Sequence, residues 1–64
     1  MKFKVGDLVR WYRYSHDMII IDGGIGCIIG FKKYKYGGFD VFSFEVLCSD
    51  GKVEDFDPSS LDIA

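Results

Sequence analysis

Proline, histidine and cysteine are scarce in this chain, and each scarcity closes off a class of chemistry. The one proline is Pro58, so no ring interrupts a backbone ladder anywhere in residues 1–57. The one histidine, His16, has Ser15 and Asp17 as sequence neighbours. Adjacent residues do not make a triad, which needs a nucleophile, a base and an oxyanion site converging in space. A zinc site needs three or four ligands, and His16 with two distant cysteines does not supply them. Asp50, Glu54, Asp55 and Asp57 are dense but lack the calcium-loop pattern, and are expected to form a solvated face. Gly24-Ile25-Gly26 lacks the helix and the lysine of a phosphate-binding loop. The sequence therefore predicts no catalytic residue, cofactor, metal site or small-molecule ligand: the chain is not expected to be an enzyme.

Cys27 and Cys48 are the only cysteines. Both stand in apolar runs, where cysteine acts as a small buried hydrophobe, and without CxxC spacing they predict free thiols in a reducing compartment. No apolar run approaches the ~20 residues that span a bilayer, and the N-terminus runs directly into a strand pattern. Neither a membrane segment nor a targeting segment is expected.

What the chain does have is apolar and aromatic weight. In 64 residues, 48% are hydrophobic and 17% aromatic, with eight glycines. That is enough for one core in one domain spanning 1–64, although a domain this small buries only about 60% of its unfolded surface. Charge is unevenly spread. Residues 1–36 hold seven basic groups against three acidic ones, a net of +4, and residues 37–64 hold one against seven, a net of −6. Such halves attract each other within a fold or between copies, or form a solvated surface of mixed sign, which is the expectation here.

The periodicity is that of strands. Val5-Gly6-Asp7 reads as a turn, after which Leu8-Val9-Arg10-Trp11-Tyr12 alternates, with Val9 and Trp11 inward and Arg10 and Tyr12 outward. Residues 13–24 read as a long loop closed by an Asp22-Gly23-Gly24 turn. Within it, Met18, Ile19, Ile20 and Ile21 form an apolar patch that is expected to cover the core; the alternative is an arm that docks elsewhere. A second strand is expected over 25–36, with Gly24, Gly26 and Gly30 on one parity with Ile28 to let it bend. Gly37-Gly38 turns the chain. Val41 to Ser49 then alternates Phe42, Phe44, Val46 and Cys48 against Ser43, Glu45, Leu47 and Ser49. Asp50-Gly51 predicts a two-residue hairpin turn, residues 52–56 a fourth strand, and Asp57-Pro58 a helical turn capped by Asp57, before a short strand at Leu61-Asp62-Ile63.

The expected fold is all-β: a single five-stranded SH3-like barrel with a long first loop and one short helical turn before the last strand. The Val5-Gly6-Asp7-Leu8-Val9 opening, the Gly24-to-Gly30 bend, the Phe44-to-Gly51 hairpin and the closing Leu61-Asp62-Ile63 resemble those of small SH3-like barrel proteins of tailed bacteriophages. More loosely they are similar to KOW and Tudor-type barrels. The resemblance spans nearly the whole chain, but its motifs are turns, glycines and core positions. It implies the fold, a viral structural protein in the virion or the host cytoplasm, and no transferable site residues.

After the core is built, tyrosines, arginines and apolar loop residues are left over. Arg10, Tyr12, Arg13, Tyr14, Met18, Ile19, Ile20, Tyr34 and Tyr36 are the candidate partner-binding residues, because tyrosine and arginine anchor protein interfaces. The partner expected is a protein in a larger assembly, as for a decoration, adaptor or tail accessory protein. The alternative is a small regulator that binds host transcription machinery or nucleic acid through the basic and aromatic Lys32-Lys33-Tyr34-Lys35-Tyr36 strand. A pI near 5.1 argues against a phosphate-tracking surface.

Overall fold

A computed structural model describes residues 3–64. They form five antiparallel strands, β1 (Leu8–Tyr14), β2 (Ile20–Tyr36), β3 (Phe39–Cys48), β4 (Val53–Phe56) and β5 (Leu61–Ile63), with a 3-10 turn over Pro58–Ser60. The fold is all-β, one sheet in the order β4-β3-β2-β1-β5. Among the described residues no ladder joins the outer strands β4 and β5, which the 3-10 turn connects along the chain.

The inward face follows the alternation of the strands. Phe3, Val9, Trp11, Ile28, Phe44, Val46, Cys48, Phe56 and Leu61 make the core, with Val9, Ile28 and Val46 sealed from solvent. The sheet coils until strands far apart in its order touch. Trp11 of β1 stacks on Phe56 of β4 at 5.3 Å, and Phe3 meets Phe44 edge-on at 5.7 Å.

The largest departure from the sequence reading is the first loop. Residues 20–24 lie in β2, paired with β1 through Arg13↔Asp22, Tyr12↔Gly23 and Trp11↔Gly24. The connection shrinks to residues 15–19, closed by Ser15 N–H donating to Ile19 C=O at 2.8 Å. The glycines there serve packing rather than turning. A Cβ on Gly24 would stand 2.6 Å from the Trp11 indole, so the bare backbone is what lets Trp11 lie across β2. Nor do residues 18–21 cover the core. Met18, Ile19, Ile20 and Ile21 are 75%, 63%, 55% and 65% exposed, because β1 and β2 hold them on a ribbon running past the other strands.

Three smaller corrections follow from local geometry. Ile29 is bulged out of the β2–β3 register, so Ile28 pairs with Val46 but Gly30 with Glu45, and Gly30 leaves the parity of Gly24 and Gly26. The Asp50-Gly51 hairpin has three loop residues. Gly51 N–H donates to Cys48 C=O, Cys48 N–H donates to Lys52 C=O, and Gly51 takes the left-handed position at φ +88°. Two-residue geometry is found instead at Gly37-Gly38, both with positive φ, between the paired Tyr36 and Phe39. Pro58 opens the 3-10 turn as expected, but the Asp57 side chain caps no backbone N–H; its Oδ2 accepts from the Ser59 hydroxyl at 3.1 Å.

Two ribbons extend beyond the three-strand region. β5 pairs only with Val9 to Trp11 and β3 reaches β2 only from Gly26 onward, which leaves residues 12–24 as a two-stranded ribbon. β4 pairs only with Phe44 to Leu47, which leaves the second ribbon over 32–43. The radius of gyration, 11.8 Å, exceeds the roughly 10.7 Å of a compact chain of this length.

Glycine packing can be checked directly. A Cβ on Gly26 would lie 2.8 Å from the Leu47 carbonyl oxygen and 2.5 Å from Val46, so Gly26→Ala is expected to cost roughly 1–3 kcal/mol by overpacking. Gly37→Ala meets nothing within 4 Å but keeps φ +58°, and is expected to cost about 1 kcal/mol through backbone strain alone. Urea titration measures both. Equal, negligible losses would contradict the packing assigned to Gly26.

Candidate interaction surface

The outer face of β1 carries Leu8, Arg10, Tyr12 and Tyr14, since Val9 and Trp11 point into the core. Their cross-strand partners on β2 are Cys27, Ile25, Gly23 and Ile20. Gly23 has no side chain to fill its place, and the Tyr12 ring leans over it: a Cβ there would lie 3.5 Å from Tyr12 Cδ1. The result is an open cleft of about 240 Å³ lined by Arg10, Tyr12, Gly23, Gly24 and Ile25. Arg10 is in none of the ion pairs among the described residues. The cleft therefore offers an unpaired guanidinium, an aromatic wall and a floor of bare backbone.

Tyr14 and Ile20 continue this face toward the tip, where Met18 and Ile19 stand in the connection. Ile21 is bulged between the Arg13↔Asp22 and Tyr14↔Ile20 pairs. Six of the nine sequence-selected residues thus gather along the outer face of the β1–β2 pair and its tip: Arg10, Tyr12, Tyr14, Met18, Ile19 and Ile20.

Arg13 is on the ribbon but on its other face. Its guanidinium lies 5.1 Å from the Trp11 ring centre and 6.0 Å from that of Phe56, and it donates to Glu54 Oε2 on β4. Asp22 Oδ2 stands 3.7 Å from Arg13 Nε. Arg13 thus closes the end of the core between β1 and β4, a structural task that its neighbours in sequence do not share. The hydrogen bond from Arg13 holds the Glu54 carboxyl below the usual glutamate range, and the same bond pushes the Arg13 guanidinium up. Burial, with help from the Glu54 charge, pushes the Cys48 thiol up, so it is protonated and a poor nucleophile at neutral pH. The Trp11 indole N–H beneath is buried without a hydrogen-bond partner.

Tyr34 and Tyr36 lie at the far end of β2, opposite Val41 and Phe39. Tyr36 and Phe39 are each 76% exposed. The structure does not bring this pair to the Arg10–Tyr12 cleft. The lysines around them are engaged: Lys32 with Asp55 at 3.6 Å, and Lys33 and Lys35 with Asp40 at 3.8 Å each. Together with Arg13–Glu54, the Lys32–Asp55 pair links the basic and acidic halves within the fold; Lys2, counted in the basic half, lies outside the described residues. Among those residues no cluster of three potential ligands could hold a metal ion, and no helix is long and apolar enough to cross a membrane.

One outer-face feature escaped the sequence reading. Leu8, Cys27, Leu47 and Val53 pair in succession and form a row across four strands. Leu8, Leu47 and Val53 are exposed. Apolar residues on the solvent parity of an alternating strand are the signal that marks them. Comparison with protein-family models, curated proteins and solved structures finds no match to this chain.

The Arg13–Glu54 bond makes a pH prediction. Because the Glu54 pKa is lower in the folded chain than in the unfolded one, its stabilisation is complete above about pH 4.3, the free glutamate value, and is lost as pH falls through the depressed folded value. Glu54→Gln is expected to flatten that part of the acid limb in denaturation midpoints measured against pH. An unchanged acid limb in the variant would contradict the assignment.

Proposed function

We propose that this chain is a non-enzymatic binding module with an SH3-like barrel fold that attaches to a protein partner in a larger assembly. The observation that carries the reading is the cleft on the outer face of β1 and β2, where Arg10, in no ion pair among the described residues, stands beside Tyr12 over bare glycine backbone. Arginine and tyrosine are the anchor residues of protein interfaces, and a cleft of this size accepts one or two side chains of a partner. Barrel topology is supported by the coiled five-stranded sheet, by the contact between β1 and β4 and by the 3-10 turn leading to β5. The concrete form is a small bacteriophage virion component, as a decoration, adaptor or tail accessory protein, which the resemblance in turns and glycines implies.

The nucleic-acid alternative loses ground, because the lysines that would track phosphates are held by Asp40 and Asp55. A photo-reactive residue in place of Tyr12, expressed in the native source, is expected to cross-link to a protein of the assembly, and one in place of Ser59 is not. With that partner in hand, Tyr12→Ala is expected to weaken binding by roughly 2 kcal/mol, or about 30-fold, and Tyr34→Ala to leave it unchanged. Absence of a cross-link at residue 12, with oligonucleotide binding that falls steeply as salt rises, would overturn the reading in favour of the regulator.

A further inference from the structure

Two connections in this molecule are built alike, and one of them holds the wrong residue for its own backbone. In the β3–β4 loop, Gly51 N–H donates to Cys48 C=O at 2.9 Å, Cys48 N–H donates to Lys52 C=O at 2.8 Å, and Gly51 sits at φ +88°. In the β1–β2 loop, Met18 N–H donates to Ser15 C=O at 2.9 Å, Ser15 N–H donates to Ile19 C=O at 2.8 Å, and Met18 sits at φ +62°. Loops of this kind place glycine at the left-handed position because any side chain is strained there. Met18 is the one non-glycine with positive φ among the described residues, and its side chain is 75% exposed. The strain obtains no core packing in return. A methionine kept at a glycine position, and held out to solvent, points to a contact made by its side chain.

We propose that residues 18–21 pack against the same segment of a second copy of this chain, forming a twofold dimer through the tips of the β1–β2 ribbons. Area and charge select that occupant. Met18, Ile19, Ile20 and Ile21, at 55–75% exposure, present on the order of 400 Å² of contiguous apolar surface. That is in the range of the largest patch of a monomer, and about the apolar share of one side of a standard interface. A twofold contact buries two such patches at once and supplies both sides from one segment. The segment carries no charge from Met18 through Ile21; Asp22, which follows it, is paired with Arg13, and the repulsion between the two copies of Asp17, which precedes it, is screened at physiological salt. A ribbon of only two strands is marginal alone in water, and a second ribbon covers what the sheet leaves bare. The dimer would also present two Arg10–Tyr12 clefts.

The test separates the contact from the fold. The purified full chain is studied by sedimentation equilibrium over a wide concentration range, beside Met18→Gly and Ile20→Lys. The wild type is expected to show a reversible monomer–dimer equilibrium. Met18→Gly relieves the left-handed strain, so at dilutions where both chains are monomeric its denaturation midpoint is expected to rise. Its dimer dissociation constant is expected to increase at least about tenfold. Ile20→Lys places like charges near the twofold axis and is expected to abolish the dimer while leaving the monomer's circular dichroism unchanged. Three outcomes would overturn the proposal: a wild type monomeric throughout, a dimer whose constant neither substitution moves, or a monomer that instead binds neutral lipid vesicles through this tip.

Discussion

Trp11 and Phe56 belong to strands that have two others between them in the sheet, yet their rings stack at 5.3 Å. That contact exists only if the sheet coils tightly, and the coil depends on β2. At Gly24 the β2 backbone lets the indole lie across it, and at Gly26 it lies close against Val46 and Leu47 of β3. The Ile29 bulge then re-aims the rest of the strand. With these in place, nine apolar side chains close one core and Arg13 can reach Glu54 over the stacked rings. Remove the close approach at β2 and the core, the cross-sheet ion pair and the position of both ribbons change together.

The same coil decides what remains outside. Seventeen residues of β2 are more than the short strands beside it can cover, so both ends run on as two-stranded ribbons. One end carries lysines matched by Asp40 and Asp55, and the other carries almost no charge at its tip. The charge that looked divided along the sequence meets within the fold at Arg13–Glu54, Lys32–Asp55 and the Lys33 and Lys35 pairs with Asp40. On the outer face of β1 and at the tip beyond it, what remains is apolar and aromatic surface and the guanidinium of Arg10, which no ion pair holds among the described residues, a composition suited to protein contact.

Much of this was legible in the sequence, for a physical reason. Val9 and Trp11, and the Phe44, Val46 and Cys48 alternation, declare their inward parity because one face of each strand is buried; the alternation does not extend to Phe42, which is half-buried, or to Ser43, which is buried. Gly6, Gly37-Gly38 and Pro58 announce turns that only those residues make cheaply. The misreading of the first loop has a definite cause. Asp22-Gly23-Gly24 has the composition of a turn, but its glycines accommodate an indole and a tyrosine ring that pair with them from β1, and such cross-strand partners are invisible along the chain. The true turn, Ser15-His16-Asp17-Met18, has no glycine to signal it. For the surface, alternation placed Arg10 and Tyr12 together, but it did not separate Arg13 from them, nor show that Tyr34 and Tyr36 lie at the far end of β2. Those distinctions come from the length of β2 and from a salt bridge spanning 41 positions.

The central claim is that residues 18–21 form an exposed arm and not a lid on the core. Methyl NMR on dilute, monomeric protein with a soluble paramagnetic probe tests it most directly. The account predicts that the methyls of Ile19, Ile20 and Ile21 broaden as strongly as that of the exposed Val5, while those of Ile28 and Val46 stay sharp. Protection of Ile19, Ile20 and Ile21 to the level of Ile28 would contradict it.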